Sequence, residues 1–404
     1  MLFDPRRHEA LLPLAWDEAR VRTAIAAIVA DCEAHYSPKT WWPLHALDRE
    51  PGDDPHLPST TLYYGACGVI WALHFLQAIG AARLSRDYLH DLETLVQSHR
   101  ETRAAMGSRT DGSYLMGEVP ILMLAFGEHP TAASADRLAA LIADNMTNPA
   151  RELMWGSPGT LLAAQFLHDR TGDARWVKLF RDTADQLWSE LEWSSDFGCH
   201  TWPQDLYGRR SNYLGAVHGF VATALPLIRG RALLGAQSWA AWAQCIATTV
   251  ARTATREGPL VNWRPELDEA HDPPKILLQH CHGAPGFVTC LAGFPGTALD
   301  PLLLAAGETI WAAGPLTKGS NLCHGTGGNG YALLELHQRT RDPKWLDRAR
   351  AFAMHGIVQT ETAARQFGHM RHSLWTGDPG FAIYLWDCLN GIARFPTLDV
   401  YYGR

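Results

Sequence analysis

The feature that most limits what this chain can fold into is a recurrence. Seven times a glycine-bearing turn runs straight into an apolar helix: YYGACGVIWALHFL from Tyr63, YLMGEVPILMLAF from Tyr114, MWGSPGTLLAAQFL from Met154, AVHGFVATALPLI from Ala216, CHGAPGFVTCLAG from Cys281, CHGTGGNGYALLEL from Cys323 and LWTGDPGFAIYLW from Leu374. The shared core is Gly-x-x-Gly, with Pro120 in place of the last glycine of the second copy and Ala222 in the fourth. Glycine tolerates positive φ and lets backbones approach closely. A helix that begins at such a turn leaves its first N–H groups unpaired. The helices themselves are apolar nearly all round, as in VIWALHFL and TLLAAQFL, which is the pattern of burial on every side.

Helices of a second kind lie between the copies. The segment from Asp173 puts Trp176, Leu179, Phe180, Leu187, Trp188 and Leu191 on one stripe. The segment from Asp342 does the same with Trp345, Leu346, Ala349 and Phe352, and those from Ser134 and Ala236 behave likewise. Such stripes leave one face wet. A buried helix alternating with an amphipathic one, at a recurring phase, is the signature of a repeat architecture. It predicts an all-α protein, an α/α toroid of seven inner and seven outer helices, with every glycine turn at one end. The repeats span about residues 62 to 390, and a helix around Trp16–Ala34, within the N-terminal segment 1–60, joins the outer layer. Strand-type alternation is scarce. Stretches such as Asp48–Pro58 read as loops rather than linkers, so residues 1–404 form one domain.

Composition fits a chain with a large core: 47 % hydrophobic and 19 % charged residues. The net charge of −7 and the lack of any Lys/Arg run exclude a nucleic-acid footprint. No apolar stretch reaches the roughly 20 residues a membrane span needs. The N-terminus, with acids and no apolar run, is unlike a signal peptide. A cytoplasmic location follows as the expectation, and with it eight cysteines that are free, buried or metal-bound rather than paired.

Two of the seven copies open with Cys-His-Gly, at Cys281-His282-Gly283 and Cys323-His324-Gly325. Ring closure brings these turns together, so two thiolates and one or two imidazoles converge. That donor set suits Zn²⁺, and three protein ligands leave a fourth position open for substrate. The other six, Cys32, Cys67, Cys199, Cys245, Cys290 and Cys388, read as small buried hydrophobes. The fourth copy adds His218 at its helix mouth. Glu152 stands four residues before Gly156, where its bland reading is a cap or a solvated carboxylate.

The seven glycine motifs, above all LLQHCHGAPG and NLCHGTGGN, resemble those of the lanthionine synthetase C-like (LanC-like) family over nearly the whole chain after Leu62. Asn262-Trp263-Arg264-Pro265, the GPLTKG run from Gly314 to Gly319, and His282 echo its eukaryotic-type members more than the dedicated lantibiotic cyclases. The resemblance implies one zinc ion held by Cys281, Cys323 and His324. It implies that His218 handles protons, with His282 a second acid/base candidate and Glu152 where the cyclases carry Asp. Three positions depart from the cyclase pattern: His280 where Trp is common, Thr376 where an acid is common, and Leu277 near a position that often holds Arg.

The implied chemistry is addition of a thiol to dehydroalanine or dehydrobutyrine in a peptide or protein. A free thiol with a pKa of about 8.5 is mostly protonated at neutral pH, and a metal removes that proton. The nucleophile is a peptide cysteine or glutathione, whose carboxylates would meet Lys318 and Arg264. A separate dehydratase would prepare the substrate, since no dehydratase or leader-binding segment is evident. Two other readings stand beside this one: a non-catalytic zinc scaffold for a peptide partner, and a carbohydrate-active toroid, for which only Glu152 and Glu118 lie near the turns.

Overall fold

The computed structural model describes residues 1–49, 54, 58–105, 112–206, 208–267 and 276–403. Most of the Asp48–Pro58 stretch lies outside them. Among the described residues the helices are α1 (Glu18–Ala34), α2 (Ala66–Ala78), α3 (Leu92–Ala105), α4 (Val119–Glu128), α5 (Ala132–Asn145), α6 (Ser157–Thr171), α7 (Ala174–Ser189), α8 (Phe220–Arg229), α9 (Ala236–Thr253), α10 (Ala284–Leu291), α11 (Asp300–Ala313), α12 (Thr326–Thr340), α13 (Pro343–Phe367) and α14 (Asp378–Asn390). Three short antiparallel hairpins and a few 3₁₀ turns complete the described structure.

Side-chain caps fall on outer helices, although the outer α9 and α11 lack them. Outer helices α1, α5, α7 and α13 begin at Asp17, Thr131, Asp173 and Asp342, whose side chains accept first-turn N–H groups. Six of the seven inner helices begin at a glycine with no side-chain cap, and α4 begins at Glu118. Their first N–H groups pair instead with the preceding chain, as Ala66 N with Ser59 O, Phe220 N with Tyr213 O and Thr326 N with Gly319 O.

The inner helices form a closed ring. Each packs on the next in the order α2, α4, α6, α8, α10, α12, α14, and α14 packs back on α2. The outer helices lean on this ring: α7 on α6, α9 on α8, α11 on α10, α13 on α12, and α1 on α14. Burial follows the predicted pattern. In α6 every residue from Ser157 to Leu167 is buried, whereas α7 buries only Trp176, Phe180, Thr183, Ala184 and Leu187. Trp188, read as part of that stripe, is 40 % exposed, and its ring meets Trp242 edge-on at 4.8 Å. One turn beyond the barrel contact, it covers the neighbouring outer helix rather than the core.

The glycine turns gather at one end and are stitched to each other. Tyr63 N donates to Leu115 O, Leu115 N to Met154 O, Leu153 N to Val217 O, Cys281 N to Cys323 O, Cys323 N to Trp375 O, and Trp375 N to Tyr63 O. Tyr63, Leu115, Met154, Val217, Cys281, Cys323 and Trp375 each stand two residues before a motif glycine, so they occupy one level of the rim. The second motif glycine is demanded by close approach. A Cβ at Gly68, Gly159, Gly286, Gly328 or Gly380 would fall 1.8–2.3 Å from the carbonyl oxygen six residues earlier. The helix must fold back under its own turn, and only glycine has room.

Candidate functional site

The ring places Cys281 and Cys323 on adjacent turns, and their thiols hydrogen-bond to each other. Each sulfur has a further donor. Gln279 Nε2 lies 2.9 Å from Cys281 Sγ, and the Tyr63 hydroxyl lies 2.9 Å from Cys323 Sγ. The hydrogen bond from Cys323 holds the Cys281 thiol below its usual range against the opposing effect of burial; Gln279 and the charges of His218 and Lys318 add to this. Cys323 is pushed up by its neighbour and by burial, so Cys281 ionises first. Burial keeps the Tyr63 phenol protonated, as a donor requires. The other six cysteines are free and buried, and burial pushes their thiols up, outweighing the hydroxyls of Thr249 and Tyr384 beside Cys199, Cys245 and Cys388.

The residue after each rim position is His218, His282 and His324 in three consecutive turns. His324 is held through its main chain, its N–H donating to Asn321 Oδ1 at 3.0 Å. Burial, reinforced by the charges of Lys318 and Arg371, drives the imidazole down to about 3, so the ring is neutral and keeps a lone pair for a metal. It faces a cleft of about 680 Å³ lined also by Lys318, Arg371, Glu9, His355 and Gln359. Lys318 is exposed on the rim of that cleft and close enough for its charge to favour both thiolates. Arg264 is also exposed but lines a separate cavity of about 220 Å³ beside Met1, Leu2 and Trp263.

His218 and Glu152 form a pair. His218 Nδ1 lies 3.1 Å from Glu152 Oε2, and the carboxylate is fully buried. Glu152 also accepts the backbone N–H groups of Met154, Trp155 and Gly156, so it closes its own turn and anchors His218 at once. Burial alone would lower the His218 pKa, but the hydrogen bond and charge of Glu152, helped by Cys281, outweigh it and raise it. The His282 ring lies 5.9 Å from that of His218, tilted by 31°. Gly215 makes this possible: a Cβ there would sit 2.3 Å from Cys281 O and 2.8 Å from His282 Nδ1. Gly283 takes φ +106°, where a side chain is strained, to turn the chain between His282 and α10.

Several residues that support the site had no role in the sequence reading, Asn262 being there only part of a quoted motif. Asn262 reaches across to accept Ala284 N at 2.7 Å, and its amide donates to Leu277 O and Leu2 O. Arg7 donates to Gln279 Oε1 at 3.0 Å, which in turn holds Cys281. The N-terminal segment thus straps the 314–319 loop, with Glu9 N on Pro315 O and Thr317 N on Arg7 O. Tyr63 had a legible signal, since it stands at the rim position of the first motif. Gln279 stood in the LLQHCHGAPG run without a role of its own, and Arg7 had no signal. His280, at the departure from Trp, behaves as an aromatic: fully buried, stacked on Phe395 at 4.3 Å, with burial driving its pKa to about 3. Glu118 is committed to Arg100 and Arg137, so it offers no second catalytic carboxylate.

The donor set at the rim is two thiols and a neutral imidazole, which fits zinc. The thiols are already in contact. Among the described residues, the one His/Cys/Asp/Glu trio whose ligand atoms all lie within 4.8 Å of one another is elsewhere, at Asp31, His35 and His372. Closing the rim set therefore requires the His324 side chain to swing toward the sulfurs. A second large cavity, about 690 Å³, lies at the opposite end among Trp71, Phe75, Arg170 and Tyr402, and no cysteine lines it.

Taken together these features define a double-layered α/α toroid with thiols and imidazoles on its glycine rim. The chain belongs to the lanthionine synthetase C-like protein family, whose model matches residues 44–400. It is 31 % identical over 203 residues to the Danio rerio "Glutathione S-transferase LANCL1", covering 47 % of each chain. It is 30 % identical over 138 residues to the Arabidopsis thaliana "LanC-like protein GCL1", covering 32 % of each. The matched segments thus span about half the length of the first of these relatives and a third of the second. The fold matches that of nisin cyclase, with a TM-score of 0.63 and 16 % identity over 84 % of this chain and 92 % of that one. No helix among the described residues is long and apolar enough to cross a membrane.

Proposed function

We propose that this protein joins a thiol to a dehydroalanine or dehydrobutyrine residue of a peptide or protein, with zinc at Cys281, Cys323 and His324. The observation that carries the reading is the meeting of Cys281 and Cys323 beside the His218–Glu152 pair. Bound zinc would acidify a substrate thiol and hold it as a thiolate. Gln279 and Tyr63 donate to the two cysteine sulfurs and set their orientation.

In the addition, a bond forms between sulfur and Cβ, the Cα=Cβ double bond opens, and Cα takes a proton. His218 supplies it. Glu152 engages Nδ1, so the transferred proton is the one on Nε2, and the carboxylate stabilises the charged ring before transfer. The substrate thiol's proton leaves to solvent as the thiolate forms, and His282, one ring away, returns a solvent proton to His218. The product is a thioether, and no redox partner is needed.

Glutathione is the nucleophile favoured by two observations: the exposed Lys318 on the cleft that His324 faces, and the name carried by the zebrafish relative. The test offers a peptide containing both dehydroalanine and cysteine, with and without glutathione. Internal cyclisation leaves the peptide mass unchanged and consumes its thiol, whereas glutathione addition raises the mass by one glutathione. Neither product, from protein carrying about one zinc per chain, would overturn the proposal and leave a zinc-bearing peptide scaffold.

A further inference from the structure

Outside the rim site the described residues hold one more cluster of metal-ligand type, and the family reading does not use it. Asp31 and His35 stand one turn apart at the end of α1. His369 and His372 come from the loop between α13 and the seventh glycine turn, and His45 from the segment after α1. His372 Nε2 lies 2.6 Å from Asp31 Oδ1, and His35 Nδ1 lies 3.4 Å from the same oxygen. The rings crowd together: His35 to His372 at 5.2 Å, His35 to His369 at 5.8 Å, His369 to His372 at 5.7 Å and His45 to His369 at 5.1 Å. Two imidazoles face one carboxylate, with the rings of His369 and His45 packed behind them, which is far from the usual surface pairing of opposite charges. Protonated together, they would repel each other.

The local hydrogen bonds prepare ligands. Nδ1 of His35 lies 2.9 Å from Asp31 O, and Nδ1 of His369 lies 2.8 Å from Met370 O. An N–H donated to a carbonyl leaves the lone pair on Nε2, the arrangement found around metal-bound histidines; in His35 the nitrogen near Asp31 Oδ1 is Nδ1 itself, so binding through Nδ1 gives up its bond to Asp31 O and binding through Nε2 turns the ring. Asp31 is fixed in turn by Met370 N at 3.1 Å. The ligand atoms of Asp31, His35 and His372 all lie within 4.8 Å of one another. Bonds of about 2.1 Å bridge atoms up to roughly 4 Å apart, so small side-chain shifts close the set.

We propose that Asp31, His35 and His372 form a second metal site, for a borderline divalent ion of the zinc class, with His369 available as a fourth ligand. The donors are nitrogen and oxygen without sulfur, which suits zinc, nickel or cobalt and disfavours soft ions. Binding replaces the proton between His372 and Asp31, which leaves to solvent. The ion ties α1 to the loop carrying Arg371, whose guanidinium pairs with Asp48 and whose side chain lines the cleft beside His324. The site is therefore a staple that holds the N-terminal helix and the cleft wall together.

Cobalt(II) chloride is the probe, because thiolate ligation gives a strong charge-transfer absorption and nitrogen–oxygen ligation gives none. Apo wild type should take up about two cobalt ions, one with that absorption and one without. His35→Ala, at an exposed position that leaves the core untouched, should lose one equivalent and leave the thiolate absorption unchanged. Asp31→Asn should do the same, and zinc should raise the Tm of wild type more than that of either variant. Equal uptake by wild type and both variants would mean an adventitious ion only, and uptake of one thiolate-bound cobalt by all three would mean no second site. A histidine-dependent equivalent without any thiolate absorption would leave this site standing and sink the rim zinc instead.

Discussion

The third and sixth glycine turns are nearly the same object with different side chains. In Met154-Trp155-Gly156 and in Cys323-His324-Gly325 the first glycine has no room for a Cβ, with Ala150 O at 1.9 Å and Gly319 O at 2.5 Å respectively. Both turns hydrogen-bond to a neighbour through the residue two before that glycine: Met154 O accepts from Leu115 N, and Cys323 O from Cys281 N. Yet one rim position carries a thioether and an indole, the other a thiol and an imidazole. The scaffold fixes where a side chain points, and two residues per turn decide what it does. The third turn contributes differently: Glu152, just ahead of it, ties up the turn's own N–H groups and reaches His218.

The largest contrast is in metal content. Cys323→Ala should lose the one rim zinc per chain, read as one equivalent fewer than wild type by elemental mass spectrometry. Met154→Ala, at the same rim level, should leave zinc intact and lower the unfolding free energy by the cost of a core cavity, about 2–5 kcal/mol. Equal zinc loss in both would show that the effect comes from the fold and not from the ligand.

Next in size is proton transfer. His218→Ala should cut turnover by about 10²–10⁴-fold with zinc retained. Glu152→Gln tests how that proton is held. The His218 pKa is raised in the folded protein, so its protonated form, and any stability the pair contributes, is present below its unfolded value and is lost as pH rises through the raised folded value. The alkaline limb of the rate profile should therefore move to lower pH in Glu152→Gln. An unmoved limb assigns the proton to another group, His282 first.

Smaller still is the effect of the sulfur donors. Tyr63→Phe removes the hydroxyl beside Cys323 and should cost roughly 10–100-fold in metal affinity or activity. Gly159→Ala and Gly286→Ala sharpen the structural side of the comparison. Each drives a methyl into a carbonyl, at 2.3 and 2.0 Å, and each should destabilise by about 1–3 kcal/mol in thermal or denaturant unfolding. Similar losses at a turn with the cysteine–histidine pair and at one without it would confirm that the glycines serve the scaffold.

The sequence was sufficient wherever the information is local and repeated. Seven glycine motifs set the helix count, the all-round apolar pattern set which layer is inside, and the phase of Cys281, Cys323, His218, His282 and His324 put them on one rim. These follow from short-range sterics and periodic burial, which a single strand of text records. Partners separated by hundreds of residues are another matter. Tyr63 meets Cys323, Arg7 reaches Gln279, and Asp31 meets His372 only because the ring closes and the N-terminal segment crosses its seam. A hydrogen bond of that kind leaves no local pattern, since its two ends are unrelated stretches of chain. Likewise the placing of Arg264 and Lys318 on different cavities, and the exposure of Trp188, were decided by how the layers pack. Closure of the toroid is what turns seven separate motifs into one site.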